Sequence, residues 1–214
     1  MATQQEIVRF LSSKNSDTSF IDTLKIVYRP YICPFDELLD YVGNDKNIFD
    51  IGCGSGQFCA LVSEFTNAEV IFGIEVSKKL VSNAHLLNQT IKGNKQIHFE
   101  SYNGITIPEE IIKYDVVYLI DVLHHIPVKN QIPFLKEIHS KMEIGSKLIL
   151  KDIDAAHPFV FFNKLHDIIF SREIGNELSL KKVELIAQEL SFKILESRKK
   201  RVFLYPHYFL ILEK

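Results

Sequence analysis

The stretch Asn47 to Phe58, NIFDIGCGSGQF, is where the chain concentrates residues able to do chemistry. An apolar run meets Gly52, Gly54 and Gly56 and then passes into a helical pattern. Such a strand, turn, helix junction needs glycine, because the turn takes permissive dihedrals and because a ligand must reach the backbone beside the N–H groups of the helix start. Glu75 closes the next apolar run, roughly 20 residues beyond the last glycine, where a carboxylate can accept hydrogen bonds from both hydroxyls of a ribose. Turn and carboxylate together point to a cofactor containing a nucleoside. The spacing is G-x-G-x-G, with Gln57 where a dinucleotide fingerprint has its third glycine. Asp50 adds a negative charge just before the turn, which a pyrophosphate would repel and a cationic ligand would accept.

A second set of chemically able residues closes two later apolar runs: Asp121, His124 and His125, then Asp152, Asp154 and His157. Imidazole titrates near neutrality and is a natural general base. The plainer reading is that both histidines hydrogen-bond loop backbone. Asp152 and Asp154 read first as caps of the segment that follows, with substrate or metal binding as the other use. No His, Cys or Asp spacing here amounts to a metal site.

The elements that must position these groups follow from the pattern. Apolar runs at Asn47 to Ile51, Glu69 to Glu75, Gln96 to Glu100, Tyr114 to Ile120, Lys147 to Ile153, Phe192 to Arg198 and Tyr208 to Leu212 read as strands. Between them, Gln57 to Phe65, Ser77 to Gln89, Val128 to Met142 and Ser179 to Leu190 carry helical spacing, the last with Ser179 as N-cap. Strands alternating with helices imply right-handed crossovers and an α/β fold, doubly wound, with a mostly parallel seven-stranded sheet. Only about nine residues separate Arg198 from Tyr208, too few for a helical crossover, so the last strand is expected to return antiparallel. Residues 1–45 show no strand pattern; Glu6 to Leu11, Phe20 to Tyr28 and Pro34 to Val42 read as a helical cover over a cofactor-binding domain spanning 46–214. Tyr28, Arg29 and Tyr31 face the cavity from that cover or simply pack. The segment His157 to Phe170 is apolar on nearly every face and reads as a buried helix, or else as the wall of an apolar pocket.

With D-I-G-C-G-S-G at 50–56, Glu75 after the second strand and Y-D-V-V-Y-L-I-D-V-L-H-H-I at 114–126, the sequence resembles the class I S-adenosylmethionine-dependent methyltransferases. The resemblance covers roughly residues 46–214 and implies the strand order 3-2-1-4-5-7-6. It implies S-adenosyl-L-methionine as cofactor, with Asp50, Gly52, Gly54 and Gly56 around the methionine moiety and Glu75 on the ribose. It further places Asn103, where the family often has Asp, beside the adenine, and Asp121 near the ammonium group. In such enzymes the first histidine of the pair faces the reaction cavity more often, which implies His124 as the catalytic base. A sulfonium is already an activated methyl donor, so the protein has to position a nucleophile, exclude water and, for a protonated nucleophile, take up a proton.

Composition narrows the acceptor. The 214 residues carry 25 basic and 27 acidic side chains, a formal charge of -2 that lacks the footprint of a dedicated nucleic-acid binder. A small, partly apolar molecule is therefore the expected substrate. RNA is the alternative, motivated by the basic run Arg198 to Arg201, and a cofactor-binding, non-catalytic interaction module is another, motivated by the apolar segment 157–170. An N-P-P-Y signature is absent, and a dehydrogenase is disfavoured by Gln57. Three cysteines without a CxxC pair suit a reducing compartment, no apolar stretch approaches the roughly 20 residues of a membrane span, and residues 1–10 lack a signal-peptide pattern. The expected location is the cytoplasm; the oligomeric state is left open.

Overall fold

Side-chain oxygens begin most of the long helices of this computed structural model, which describes residues 2–14, 29–91, 95–164 and 175–214. Thr3 and Glu6 form a reciprocal capping box at the start of α1 (Gln4–Ser13). A short helical turn at 29–32 leads to α2 (Phe35–Asp40). β1 (Asn47–Ile51) runs through the glycine turn into α3 (Gln57–Phe65), and β2 (Val70–Glu75) leads to α4 (Lys78–Gln89), capped by Ser77. β3 (Gln96–Ser101) and β4 (Val116–Ile120) follow, then α5 (Val128–Lys141), β5 (Lys147–Ile153), α6 (Leu180–Glu189) capped by Ser179, and the strands β6 (Lys193–Val202) and β7 (Tyr205–Glu213). The expected helix Phe20 to Tyr28 lies outside the described residues. Among the described residues no helix is long and apolar enough to cross a membrane.

The seven strands form one sheet in the order β3-β2-β1-β4-β5-β7-β6. The chain forms two compact units, residues 1–102 and 103–214. In the first, β2 pairs in parallel with both β1 and β3. Its core gathers Ile48, Phe49, Ile51, Leu61, Val62, Ile71 and Ile74, none more than 1% exposed. Gly73, unremarkable in the sequence, is required inside β2: a Cβ there would stand 2.8 Å from both the Cys53 sulfur and the Phe99 ring. In the second unit β4 pairs in parallel with β5, while β7 runs antiparallel to both β5 and β6.

The final hairpin is longer than the sequence spacing suggests. Both strands grow into the stretch between Arg198 and Tyr208 and close on Phe203 and Leu204, with Phe203 in the left-handed region at φ 53°. Lys199, Lys200 and Arg201 hide the strand pattern because charge ordinarily argues against burial. Here they belong to an edge strand, where charged residues also discourage pairing with another sheet. Three charged heads of the run are taken up locally: Lys199 Nζ lies 2.5 Å from Asp154, and the Arg198 and Arg201 guanidinium groups lie 3.9 and 5.7 Å from the ring centres of Phe209 and Phe159. The apolar segment also differs from the buried helix expected of it. Within 157–164 only Asn163 is buried and Phe161 is 63% exposed; Leu165 to Phe170 lie outside the described residues.

Candidate active site

In the first unit the glycine turn is held from below by β2. The N–H groups of Gly52 and Cys53 both donate to the Ile74 carbonyl, at 2.8 and 3.0 Å, and the Gly56 N–H donates back to Cys53 at 3.0 Å. Gly52, Gly54 and Gly56 all have positive φ, at 75°, 56° and 77°. The last two serve different ends. A Cβ at Gly56 would stand 2.9 Å from Ala84 Cβ and 3.0 Å from the Phe99 ring, so this glycine permits packing against α4 and β3. Among the described residues a Cβ at Gly54 would meet only Arg29 Nη1, at 3.7 Å, so this position leaves room for a ligand beside the backbone. Gly56 is the N-cap of α3, and no side chain caps that helix; orphan N–H groups at a helix start attract a ligand oxygen.

Glu75 is buried at the end of β2 and ties the site together. Its Oε2 accepts from the Gly54 N–H at 3.1 Å and its Oε1 from the Ser77 N–H at 2.9 Å. The carboxylate therefore braces the turn and the start of α4 as well as lying where a ribose is expected, and its remaining lone pairs leave capacity for ligand hydroxyls. Asp50 is wholly enclosed at the end of β1, with the Cys59 thiol donating to its Oδ2 at 3.3 Å. Burial pushes its carboxyl up to about 6, against the opposing effects of the Cys59 hydrogen bond and the Arg29 charge. Burial, reinforced by Asp50, raises the Cys53 and Cys59 thiols as well, which keeps them protonated and unreactive. Arg29 contributes a cation beside the turn; Tyr31 is half exposed, and Tyr28 lies outside the described residues.

The second unit carries the other group. His124 sits in a 3-10 turn after β4, only 3% exposed, with Nδ1 2.5 Å from Asp152 Oδ1 and its backbone N–H donating to Asp152 Oδ2 at 3.1 Å. An ionised carboxylate only accepts, so it holds the ring proton on Nδ1 and leaves Nε2 as the basic nitrogen. The plainer reading, in which His124 meets only loop backbone, is replaced by a carboxylate partner. Asp154 does cap: its Oδ1 accepts from Ala156 and Leu180 N–H groups, and these bonds together with Lys199 outweigh burial and hold its carboxyl below the usual range. Asp152 instead orients His124. His125 is exposed, its ring centre 4.0 Å from that of His124.

Sequence reasoning passed over three residues of this cluster. Lys151, wholly buried in β5, places Nζ 2.6 and 2.7 Å from the two carboxylate oxygens of Asp121, which is itself in the left-handed region at φ 55°. The signal was legible, since a lysine interrupts an otherwise apolar strand, and the parallel register pairs Ile120 with Lys151. Gln131, buried in α5, brings its Nε2 within 3.2 Å of the carbonyls of Leu123, Ile126 and Asn176 and so locks the histidine turn. Tyr208, the cross-strand partner of Asp152, is buried and its hydroxyl has no hydrogen-bond partner among the described residues; burial followed by the charges of Asp152, Asp154 and Asp121 raises its phenol well above the usual range. Asn103 closes its own turn, its Oδ1 accepting from Ile105 and Thr106 N–H groups and its amide nitrogen 3.3 Å from Thr106 Oγ1. Among the described residues, no group of three or more His, Cys, Asp or Glu is placed to hold a metal ion.

The methyltransferase domain family matches residues 25–197 of the chain. Among solved structures, magnesium protoporphyrin IX methyltransferase from Synechocystis PCC 6803, with bound S-adenosylhomocysteine, is similar at a TM-score of 0.71 and 18% identity, covering 100% of this chain and 95% of that one. An S-adenosylmethionine-dependent methyltransferase from Methanosarcina mazei is similar at 0.68 and 19%, covering 83% of this chain and 96% of that one. Another from Aquifex aeolicus is similar at 0.66 and 18%, covering 92% and 98%. No curated protein matches the sequence.

Proposed function

We propose that this chain, which belongs to the methyltransferase domain family and is an S-adenosylmethionine-dependent enzyme of the class I fold, methylates a small, partly apolar molecule whose nucleophile gives up a proton to His124. The residues present fit the cofactor. Gly54 is open to a ligand, the start of α3 is uncapped, and Asp50 is a buried carboxylate that a nearby cation would relieve. When bound, S-adenosylmethionine supplies a methyl group on a sulfonium. Asp50, Gly52, Gly54 and Gly56 would hold its methionine end, Glu75 its ribose, Asn103 its adenine and Asp121 its ammonium group. For Asp121 this means sharing a carboxylate already bound to Lys151, and for Asn103 it means the amide nitrogen, because Oδ1 is spent on the turn.

The observation that carries the reading is the buried His124–Asp152 pair. A base held in one tautomer, away from water, serves a nucleophile that arrives protonated, such as a hydroxyl. Asp152 fixes the ring and stabilises the imidazolium that forms as the proton is taken up. The exposed ring of Phe161 and the half-buried rings of Phe159 and Phe162, with Arg201 over Phe159, favour an acceptor that is partly apolar. Within the basic run that motivated an RNA acceptor, Arg198, Lys199 and Arg201 are engaged locally by Glu196, Phe209, Asp154 and Phe159, which favours the small molecule.

Incubating a cell extract with the enzyme and methyl-labelled cofactor, then separating RNA, protein and low-molecular-weight fractions, tests this. Label is expected in the last fraction; label confined to RNA or protein overturns the small-molecule reading. His124→Gln is expected to cut turnover by about 10²- to 10⁴-fold, the usual contribution of a general base, with cofactor affinity unchanged. Undiminished turnover would remove His124 from the mechanism.

A further inference from the structure

We infer that Tyr208 is a positioning residue for the proposed base: its hydroxyl serves the one acceptor site that Asp152 keeps open and, through Asp152, holds His124 neutral and ready to take a proton. The inference rests on the reading of His124 above and adds to it a residue of β7. Tyr208 is wholly buried, and its hydroxyl has no hydrogen-bond partner among the described residues. A buried hydroxyl in that state gives up its water without replacement, which is uncommon in a folded protein and calls for a use. Its cross-strand neighbours are Asp152 on β5 and Lys199 on β6. Directly opposed side chains share a face of the sheet, with Cβ atoms about 4.5 to 5.5 Å apart. The phenol therefore stands in the row that carries the carboxylate of the His124–Asp152 pair.

Three carboxylates act on that hydroxyl, and two of them answer to lysines. Asp154 accepts from the Ala156 and Leu180 N–H groups at 3.1 and 3.3 Å and meets Lys199 Nζ at 2.5 Å, while Asp121 holds Lys151 with both oxygens. Asp152 is bound differently. An ionised carboxylate offers about four acceptor sites. Asp152 fills its Oδ1 with His124 Nδ1 at 2.5 Å and the Ile153 N–H at 2.7 Å, and gives Oδ2 to the His124 N–H at 3.1 Å. The remaining site, on Oδ2, is open among the described residues, and Asp152 comes first among the charges that act on the phenol. A buried donor without an acceptor thus faces a buried carboxylate short of a donor across one strand pair, and side-chain adjustment alone closes the bond. Such a bond spreads the charge of Asp152 and weakens its pull on the imidazole, so that His124 is neutral at a pH where an unrelieved carboxylate would keep it protonated. The other titratable group on the histidine turn is His125, its ring centre 4.0 Å from that of His124, which opposes a charge on His124 only when itself protonated.

Nitrogen NMR of protein carrying labelled histidine follows the His124 titration without cofactor or acceptor, the resonance being assigned by its loss in His124→Gln. Tyr208→Phe keeps the ring and its packing and removes only the hydroxyl. The His124 midpoint is expected to rise by about one unit in this variant, a tenfold gain in proton affinity at the low end for a hydrogen bond to a charged group. In the Asp152→Asn background the same substitution should move the midpoint no further. Methyl transfer from labelled cofactor into the low-molecular-weight fraction of a cell extract should fall more at about pH 6 than at about pH 8, because more of the base is already protonated. An unmoved midpoint, or an equal rise in the Asp152→Asn background, overturns the inference and leaves the reading of His124 intact. A raised midpoint together with undiminished methyl transfer by His124→Gln overturns that reading and, with it, the part of Tyr208 in the reaction.

Discussion

Asp50→Asn offers the sharpest test of the electrostatics, because the site holds a carboxylate in surroundings that favour its neutral form. Its carboxyl lies at about 6, against 3.8 for the ordinary group, with burial as the main cause. A difference of roughly 2 units corresponds to about 3 kcal/mol between the protonation states. The sign follows from which state binds the proton more tightly. Because the folded value is raised, the penalty is absent only well below 3.8, where Asp50 is protonated whether folded or not. Between 3.8 and about 6 the unfolded chain ionises while the folded state keeps its proton, so stability falls with pH, and above 6, where both ionise, the loss levels off at about 3 kcal/mol. The asparagine variant never ionises. Urea unfolding of both proteins from pH 4 to 8 should therefore give a stability difference that moves in the variant's favour by about 2 to 3 kcal/mol, nearly all of it between pH 4 and 6, other carboxylates cancelling in the subtraction. The absolute offset also contains any unpaired amide N–H, worth about 1 to 3 kcal/mol and independent of pH, so the slope is the informative quantity. A difference that is flat from pH 4 to 8 would refute the reasoning. Cofactor cations favour the ionised form, so affinity for S-adenosylmethionine should fall as pH drops below 6 in the wild type and not in Asp50→Asn.

Glu75→Gln leaves one acceptor oxygen for two N–H groups, those of Gly54 and Ser77, and should cost about 1 to 3 kcal/mol of stability and weaken cofactor binding by calorimetry; unchanged values in both would mean that the bracing is dispensable. Gly56→Ala puts a methyl 2.9 Å from Ala84 Cβ at a left-handed φ, with strain of about 1 to 2 kcal/mol and overpacking of about 1 to 3, whereas Gly54→Ala meets nothing closer than 3.7 Å and should lose only the strain. Equal chemical unfolding midpoints for the two would contradict their separate roles. Asp121→Asn strands the fully buried Lys151 and should destabilise by about 3 to 5 kcal/mol at neutral pH, with Lys151→Met in the Asp121→Asn background recovering much of it; absence of recovery would show that the pair is not what the loss reflects.

The α/β alternation and nearly all element positions were legible in the chain because apolar period and capping residues are local properties. Ser179 capping α6 and the strand boundaries Asn47 to Ile51 and Lys147 to Ile153 are examples. The glycine turn and Glu75 were legible for a related reason: a backbone that must turn with positive φ and a carboxylate at a strand end leave a fixed spacing in the sequence. What local pattern could not convey was how the charged groups are shared. Asp152 looked like a cap and turned out to orient His124; Lys199 to Arg201 fell beyond the strand read to Arg198 and prolong it along the sheet edge; Gly56, read as a ligand glycine, also permits packing against Ala84. In each case the deciding partner, whether His124, Asp154 or Ala84, is distant in sequence, and a short-range force acts only once folding has brought the two together. Tertiary structure likewise decided that Asp50 pays a desolvation penalty and that Arg29 stands beside Gly54, because enclosure and proximity belong to the packed molecule and have no counterpart in an extended chain.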